Sequence, residues 1–186
     1  MRKHLTLWFL STCLALASAL PLPEGSLYQL SSRWVNQRGV PLELIQLRGK
    51  PQVLALIYTH CQGICPAILK EMKDLEAGLT PAQRNRIGFV LITMDPQTDT
   101  VDRLQEYARQ ENLGENWILL RGAPEDIREL AATLDFRYRK TNSKDYAHSA
   151  MLTLLDAQGE VAEQQVGLSA REAINRKLQQ LLMPPR

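Results

Sequence analysis

Hydrophobic residues along this chain follow two alternating patterns, one typical of buried strands and one typical of amphipathic helices. Residues 52–59 form a continuous apolar run of strand length, and residues 87–94 form a second. Such runs are expected of central strands that are covered on both faces. The first run is followed by apolar residues at helical spacing, namely Ala67, Ile68, Met72, Leu75 and Leu79. The pattern therefore predicts buried strands that alternate with helices.

The rest of the pattern completes a mixed α/β arrangement. A turn signal at residues 36–39 separates segments 27–35 and 41–47 and predicts an N-terminal β-hairpin. Further strands are predicted at 117–120, 151–155 and 161–166, and further helices at 100–110, 124–134 and 170–182. We expect Asp99 to cap the helix at 100–110. A central mixed sheet flanked by helices is the predicted fold.

The first 19 residues are predicted to be an export signal. A positively charged start precedes an apolar run at residues 5–16, and residues 17–19 (Ala-Ser-Ala) have the small side chains of a cleavage site. Lipid modification of Cys13 is a further interpretation, but Thr12 is a poor residue to precede such a cysteine. We therefore expect Cys13 to be removed with the signal.

If the signal is cleaved, the protein is exported and periplasmic. If it is not cleaved, residues 5–22 would serve as an inner-membrane anchor. The predicted organisation is then a short tether at residues 20–26 and one domain at residues 27–186. Loss of residues 1–19 leaves 20 of the 22 basic residues against 20 acidic ones. This balance argues against a nucleic-acid partner or an anionic-membrane surface.

Cys61 and Cys65 lie outside the export signal, at the junction between the first predicted strand and the helix after it. Thiols four positions apart at such a junction can face each other. Pro66 sets the backbone for the first helical turn. The positive end of the helix dipole is therefore expected to favour the thiolate form of Cys65.

A thiol pair of this kind has three uses. Two of them are reversible disulfide exchange and the binding of a soft metal such as Cu(I). The third is a purely structural disulfide, which is natural in an oxidising compartment. Closing so short a loop would stabilise the fold by only about 2 kcal/mol, which weakens the structural interpretation.

A metal site needs a further ligand, and two histidines lie outside the export signal. His148 stands just ahead of the strand predicted at 151–155, so it can lie where strand ends converge. A histidine in such a position is often an ordinary surface residue, so its position alone decides nothing. His60 adjoins Cys61, and adjacent side chains in an extended segment point in opposite directions, so His60 is not expected to be a ligand. Three methionines are expected to fill the core: Met72, Met94 and Met151.

Three blocks of sequence surround these residues. They are residues 58–66 (Tyr-Thr-His-Cys-Gln-Gly-Ile-Cys-Pro), residues 94–100 (Met-Asp-Pro-Gln-Thr-Asp-Thr), and His148-Ser149 followed by residues 154–159 (Leu-Leu-Asp-Ala-Gln-Gly). In this order the blocks resemble the Sco (SenC) family of thioredoxin-fold copper-binding proteins. The resemblance extends from about residue 26 to the C-terminal helix. It implies a thioredoxin-like α/β fold for the whole predicted domain.

In that family the two cysteines and the distal histidine bind copper, and the protein helps to build the binuclear copper centre of cytochrome c oxidase. The resemblance implies that Cys61, Cys65 and His148 bind one copper ion, as Cu(I) or also as Cu(II). It implies that the partners are the copper-bearing oxidase subunit or another cuproprotein, together with a thiol-reducing protein. Oxidation of the cysteines to a disulfide would release the ion, so redox state would control metal binding.

The resemblance also places Asp95 near the metal, where a carboxylate could orient a ligand or a partner group. The alternative is that Asp95 and Pro96 merely form a turn. Asp99 and Thr100 are expected to cap a helix rather than to belong to the site. The chain departs from the family in two respects: it offers no convincing long membrane anchor, and no carboxylate stands between its cysteines.

The competing hypothesis is a thiol–disulfide oxidoreductase in which Cys61 is the nucleophile and Cys65 the resolving thiol, or the reverse. The spacing C-x-x-x-C differs from the C-x-x-C of thioredoxin, and no proline lies between Pro124 and Pro184, where such oxidoreductases carry a cis-proline. A peroxiredoxin-type peroxidase is disfavoured because its proline-containing motif does not precede Cys61. A zinc site would require permanent thiols in an oxidising compartment. A copper metallochaperone, rather than an enzyme, is the favoured function.

Overall fold

The structure of the chain is a computed structural model that describes residues 21–142, 145–167 and 171–183. The predicted signal at residues 1–19, with Cys13, lies outside the described residues, as does most of the alternative anchor at 5–22 and the predicted helix start at residue 170. No helix in the described ranges has the length and hydrophobicity that a membrane span requires.

In the described part of the chain, seven strands form one mixed sheet, and two short strands form a separate antiparallel ribbon. The strands are β1 (Arg33–Asn36), β2 (Pro41–Glu43), β3 (Gln52–Ile57), β4 (Gly88–Thr93), β5 (Trp117–Gly122), β6 (Tyr138–Lys140), β7 (Tyr146–His148), β8 (Met151–Leu155) and β9 (Val161–Val166). The order in the large sheet is β2-β1-β5-β4-β3-β8-β9, with β3, β4 and β5 parallel and the outer strands antiparallel. The remaining strands, β6 and β7, pair with each other.

Helices connect the parallel strands and pack on the sheet. They are α1 (Cys65–Ala77), α2 (Pro81–Arg84), α3 (Val101–Gln110), α4 (Pro124–Thr133) and α5 (Arg171–Leu182). Three of them begin with a proline in the first turn, where its fixed φ suits the helix and its missing N–H costs no hydrogen bond. Helix α5 packs against α1, β8 and β9, while α3 packs against β5. These contacts confirm the predicted α/β fold with a helix-flanked mixed sheet.

The core lies around the central parallel strands. Every residue of β3 and β4 is buried, which explains why both strands appear in the sequence as continuous apolar runs. On the neighbouring strand, Trp117 stacks on Phe89 of β4 with the ring centroids 4.7 Å apart. The predicted methionines are in the core as expected, since Met72, Met94 and Met151 are all buried. The strands that precede the candidate site are therefore firmly packed.

The predicted N-terminal hairpin is confirmed as β1 and β2, but both strands are shorter than expected. Residues Leu27–Gln29 and Leu44–Leu47 form 3-10 turns instead of strand. Neither α2 nor the ribbon of β6 and β7 was predicted. The expectation that Asp99 caps α3 is wrong: the cap is Thr100, whose hydroxyl oxygen accepts a hydrogen bond from the Arg103 N–H at 3.2 Å.

Candidate metal centre

The two cysteines lie immediately beyond the carboxyl end of β3. After the strand ends at Ile57, the backbone turns, and the Cys61 N–H donates a hydrogen bond to the Tyr58 carbonyl at 3.3 Å. Helix α1 then begins at Cys65, with Pro66 in its first turn. Both thiols are free; Cys61 is half-buried, whereas the Cys65 side chain is 1% exposed. One sulfur can therefore be reached from outside, and the other faces the interior.

The ribbon of β6 and β7 brings His148 against the cysteines. The Nε2 atom of His148 lies 3.3 Å from the Sγ atom of Cys65. On the other side of the ring, Nδ1 lies 3.0 Å from the carbonyl oxygen of Ser149. Because a carbonyl oxygen only accepts hydrogen bonds, this contact assigns the ring proton to Nδ1. The lone pair of Nε2 therefore faces the sulfur, which is the tautomer that a metal ligand needs.

Cys61, Cys65 and His148 together form a group whose ligand atoms all lie within 4.8 Å of one another. Three ligands at about 2.0–2.3 Å from a common ion stand roughly 3.5–4 Å apart, so only a small contraction would close the group on a metal. Two sulfurs and one imidazole nitrogen form a soft set that suits Cu(I) and also Zn²⁺. These three predicted site residues are thus positioned to bind a metal ion.

Aromatic side chains hold the histidine ring in place. The ring of Phe136 stacks on His148 with centroids 6.0 Å apart, and the ring of Tyr58 meets it edge-on at the same separation. The Tyr58 hydroxyl accepts a hydrogen bond from the Tyr146 N–H at 3.5 Å, which leaves its own proton free to donate toward Cys61. Tyr58 thereby connects the cysteine loop to the strand that carries His148. Sequence reasoning did not single out Tyr58 or Phe136.

The two thiols differ in acidity. Burial acts to raise the pKa of Cys61, but hydrogen bonds from the Cys65 backbone and side chain and from Tyr58 outweigh it, so the pKa lies below the ordinary thiol value. Burial raises the pKa of Cys65 well above that value; a hydrogen bond from the Tyr58 backbone offsets only part of the shift. The expectation that Cys65 is the favoured thiolate is therefore wrong, because burial penalises its charged form.

Burial also acts on His148, whose pKa it lowers below the usual value, with a partial offset from the Ser149 carbonyl. A lowered pKa keeps the imidazole neutral at neutral pH. Neutral imidazole is the form that binds a metal, so the environment of His148 favours ligation before any ion arrives.

His60 lies outside the three-ligand group, as expected. Its Nε2 atom is 3.7 Å from the Oδ2 atom of Asp95, and its Nδ1 atom is 3.9 Å from the Oδ1 atom of Asp99. Asp95 is 2% exposed. Burial of Tyr146, together with the charge of Asp95 and a hydrogen bond to it, raises the pKa of Tyr146 to about 12. The structure thus places Asp95 beside His60 and Tyr146, around the ligands rather than among them.

Asp99 has a different role from the one that the sequence suggested. It is fully buried and accepts hydrogen bonds from the Thr59 N–H at 3.0 Å, from the Thr59 hydroxyl at 2.6 Å and from the Thr93 hydroxyl. The Nε–H of Arg103 donates to the same Thr59 hydroxyl at 3.1 Å. Asp99 therefore ties the ends of β3 and β4 together just before the cysteine loop. A buried aspartate needs such donors, and no sequence signal identified them.

Comparisons with known proteins agree with this geometry. The family model for SCO1/SenC matches residues 24–183. A Stutzerimonas stutzeri protein, provisionally named as copper-binding, is 32% identical over 148 residues, which cover 77% of this chain and 71% of the relative.

Solved structures share the fold. A SCO1/SenC family lipoprotein from Bacillus anthracis has a TM-score of 0.73 at 26% identity, covering 81% of this chain and 92% of that one. Bradyrhizobium japonicum ScoI, determined with copper bound, has a TM-score of 0.69 at 22% identity, covering 81% and 96%. The predicted thioredoxin-like fold is confirmed by these likenesses.

Proposed function

This chain belongs to the SCO1/SenC family, and we propose that it is a copper metallochaperone that carries one copper ion on Cys61, Cys65 and His148. Copper is the cargo of this protein rather than a resident cofactor. The recipient we propose is the binuclear copper site of cytochrome c oxidase, in the copper-bearing subunit. Another cuproprotein with a similar thiol-rich site is the second candidate recipient.

One observation carries the proposal: the deprotonated ring nitrogen of His148 faces the Cys65 sulfur at 3.3 Å, with the Cys61 sulfur in the same group. Two thiolates and one neutral imidazole give Cu(I) the soft, low-coordinate environment that it prefers. The solved Bradyrhizobium japonicum and Arabidopsis thaliana ScoI proteins, both determined with copper bound, support the choice of copper over zinc.

The three side chains have different tasks in cargo exchange. Cys61 is half-buried and has the lower thiol pKa, so it is the first ligand that an incoming ion meets. Cys65 is buried and His148 is half-buried, and both complete the coordination once water has been displaced. Release reverses this order, so His148 separates first and recipient thiolates replace Cys61 last.

The redox state of the cysteines would control the cargo. Exchange of the two thiols with a disulfide of a partner protein forms a Cys61–Cys65 bond, moves two electrons to the partner and leaves the partner with two thiols. The chain then lacks both sulfur ligands and cannot hold Cu(I). A thiol-reducing protein is needed to restore the pair. Export to the periplasm, with residues 1–19 cleaved or with residues 5–22 kept as an anchor, would place the protein where oxidase copper sites are assembled.

A second function, thiol–disulfide exchange with the oxidase or another cuproprotein, is supported by the difference between the thiols. A half-buried cysteine with a lowered pKa, followed by a buried one, is the arrangement of a nucleophile and a resolving thiol. Thiol–disulfide exchange does not require a histidine that faces the thiols as His148 does. We therefore rank this function second.

An anaerobic competition titration of the reduced protein with Cu(I) and a chelator tests the proposal. We expect one ion per chain, and a loss of affinity of at least about 100-fold in Cys65→Ser and at least about tenfold in His148→Ala. The matched control is His60→Ala, which removes a histidine next to Cys61 that is outside the ligand group; its affinity should stay within about threefold of the parent. Tight binding that does not depend on His148 would reject the assigned site and favour thiol exchange.

A further inference from the structure

We propose that the ribbon of β6 and β7 is a docking surface for an acidic metal-recipient protein, with its basic side chains arranged around the ligand His148. This inference rests on the proposed function, since it concerns how the cargo reaches its recipient. We use the term basic ribbon for β6 with its preceding Arg137, together with β7.

The basic ribbon carries a local excess of positive charge. Arg137, Arg139 and Lys140 are all exposed within four consecutive residues. Arg137 has a loose ion pair with Asp135 at 3.8 Å, in which both side chains are 85% exposed. Among the described residues, no carboxylate lies within ion-pair distance of Arg139 or Lys140. Charges that no neighbour compensates remain available to a partner.

Two further contacts extend this charge. The Lys140 ammonium lies over the Tyr146 ring, 5.5 Å from its centroid. This cation–π contact holds a basic group on the face of the ribbon, and no carboxylate takes part in it. Arg128, exposed on α4, is near enough to the Tyr138 hydroxyl to act on its pKa, lowering it against a larger rise from burial. Three cationic side chains thus belong to the basic ribbon, and a fourth acts on it from α4.

The excess charge adjoins the metal centre. In the strand pair, Tyr138 is the partner of His148, so Arg137 and Arg139 adjoin in sequence the residue opposite the ligand. Arg139 pairs with Ala147 and lies on the other face of the ribbon, whereas Lys140 lies on the face that Tyr138 and His148 share. The two arginines and the Tyr138–His148 pair line a shallow cavity of about 370 Å³, which the structure forms from Arg137, Tyr138, Arg139, Ala147, His148 and Ser149. A partner surface seated there would contact the two strands, one of which carries a copper ligand.

The opposite approach to the site has no such excess. A cavity of about 440 Å³ beside Cys61 is rimmed by two lysines and two acidic residues. Lys70 pairs with Asp74 at 2.7 Å, and Lys73 pairs with Glu111 at 3.0 Å. The charges on this side are internally compensated. Because the whole chain is close to neutral, the unpaired charge at the ribbon is a local feature rather than a consequence of composition.

This distribution fits a recipient whose metal-binding thiols are surrounded by carboxylates. Complementary charge raises association rates by about 10- to 1000-fold and sets the orientation of the two proteins. Docking on the basic ribbon would bring recipient thiols to the His148 edge of the site. The carboxylates would be attracted to Arg137, Arg139 and Lys140, while the cargo itself would stay bound by the cysteines until exchange begins.

The test uses two synthetic peptides, each with one Cys-x-x-x-Cys pair, flanked either by four glutamates or by four lysines. Transfer of Cu(I) from the loaded protein is followed by stopped-flow spectroscopy at low and high ionic strength. We expect transfer to the glutamate peptide to be roughly tenfold faster at low salt, with the difference nearly lost at about 0.5 M salt, where screening acts within a few ångströms.

The test variant is Arg137→Gln/Arg139→Gln/Lys140→Gln, and it should transfer to both peptides at similar rates while keeping the parent's Cu(I) affinity. The matched control is Arg33→Gln/Arg38→Gln/Arg176→Gln, which removes the same charge from three exposed arginines elsewhere and should retain the preference. Two results would overturn the proposal: equal transfer rates to the two peptides from the parent protein, or the same loss of preference for the glutamate peptide in both triple variants.

A metal-free arm separates this inference from the proposed function. Glutamate and lysine peptides with serine in place of both cysteines are titrated with the apoprotein by fluorescence anisotropy. Salt-sensitive binding of the glutamate peptide that the ribbon variant loses supports the docking surface even if the protein binds no Cu(I). Binding to phosphatidylglycerol vesicles that the ribbon variant loses, with no discrimination between peptides, would assign the surface to a membrane and contradict our proposal.

Discussion

The cysteines and the histidine of the metal centre come from regions that are built in different ways. The cysteine loop follows β3, a strand buried along its entire length and paired on both sides within the seven-stranded sheet. His148 lies on the ribbon, whose three-residue strands pair only with each other and are largely exposed or half-buried. One half of the site is therefore anchored in the core, whereas the other half is attached to the surface.

This difference shows how a carrier can hold a metal and still release it. The sheet supplies a fixed pair of thiols, and the ribbon supplies a third ligand that can separate from them at the cost of few buried contacts. Among the described residues, the contacts that join the two halves include the Cys65–His148 contact and the Tyr146 N–H bond to Tyr58. They also include the Tyr58 ring against the rings of His148 and Tyr146, and the hydrogen bond between Asp95 and Tyr146. Experiments that act on one half alone can therefore test the comparison.

Hydrogen exchange should show the largest difference between the two halves of the site. We expect amides of β4 to be protected at least about 1000-fold more than those of β7, because β4 opens only with global unfolding while the ribbon can open locally. Binding of Cu(I) should raise protection in β7 and leave β4 nearly unchanged. Equal protection of both strands in the metal-free protein would show that the two halves form a single rigid unit. Exchange measured by mass spectrometry on the reduced apoprotein and the loaded protein would decide this.

Loss of Asp99 should weaken the core-anchored half. Asp99→Ala leaves the buried Thr59 N–H without its acceptor, so we expect the free energy of unfolding to fall by about 2–4 kcal/mol. Urea denaturation measures the change. The control is Asp102→Ala at an exposed position of the first turn of α3, which should cost no more than about 1 kcal/mol. If the two variants proved equally stable, the hydrogen bonds of Asp99 would not be what holds the ends of β3 and β4 together.

Alkylation should distinguish the two thiols of the core-anchored half. The thiolate is the reactive form, so the lowered pKa of Cys61 and the raised pKa of Cys65 both favour reaction at Cys61 at neutral pH. With iodoacetamide at pH 7, we expect at least about 30-fold faster labelling of Cys61, because each unit of pKa difference changes the thiolate fraction tenfold. Raising the pH should narrow the gap, since the thiolate fraction of Cys61 reaches its maximum first while that of Cys65 continues to rise. Faster labelling of Cys65 in peptide mapping would contradict the assignment.

Removal of the Tyr58 hydroxyl should act on the contact between the two halves. Tyr58→Phe keeps the ring against His148 but removes the group that bridges Cys61 and the Tyr146 N–H, so we expect about tenfold weaker Cu(I) binding. Stability should change by no more than about 1.5 kcal/mol. Tyr28→Phe is the control: it removes a buried hydroxyl that donates to the Leu47 carbonyl at 3.4 Å. An equal loss of affinity in both variants would show a general effect of stability.

The sequence predicted the core-anchored half well because its signals are local. Burial on both faces made β3 and β4 continuous apolar runs, and Pro66 marked the start of α1. The ribbon escaped prediction because strands of three residues that mix arginine, lysine and tyrosine show no apolar run. His148 was identified as a ligand through the family resemblance, and its position on a strand of its own was not foreseen.

Other features could not be predicted because they depend on contacts between distant segments. The hydrogen bonds that fix Asp99 come from Thr59 and Thr93, on two different strand ends. The thiol of Cys65 illustrates the same limit: its place at a helix N-terminus is visible in the sequence, but the burial that dominates its pKa is not. Local sequence patterns were enough to predict the strands and helices, whereas burial in the folded protein determined the chemistry of the site's side chains.

The most direct test of the central claim is X-ray absorption at the copper K-edge of the reduced protein loaded with one equivalent of Cu(I), beside His148→Ala. We expect two sulfur ligands and one imidazole nitrogen in the parent, and two sulfurs without the imidazole in the variant. This result would establish that the sheet and the ribbon each contribute to one copper site. The same spectrum for both proteins, with sulfur ligands alone, would contradict the account and leave His148 without a role in holding the cargo.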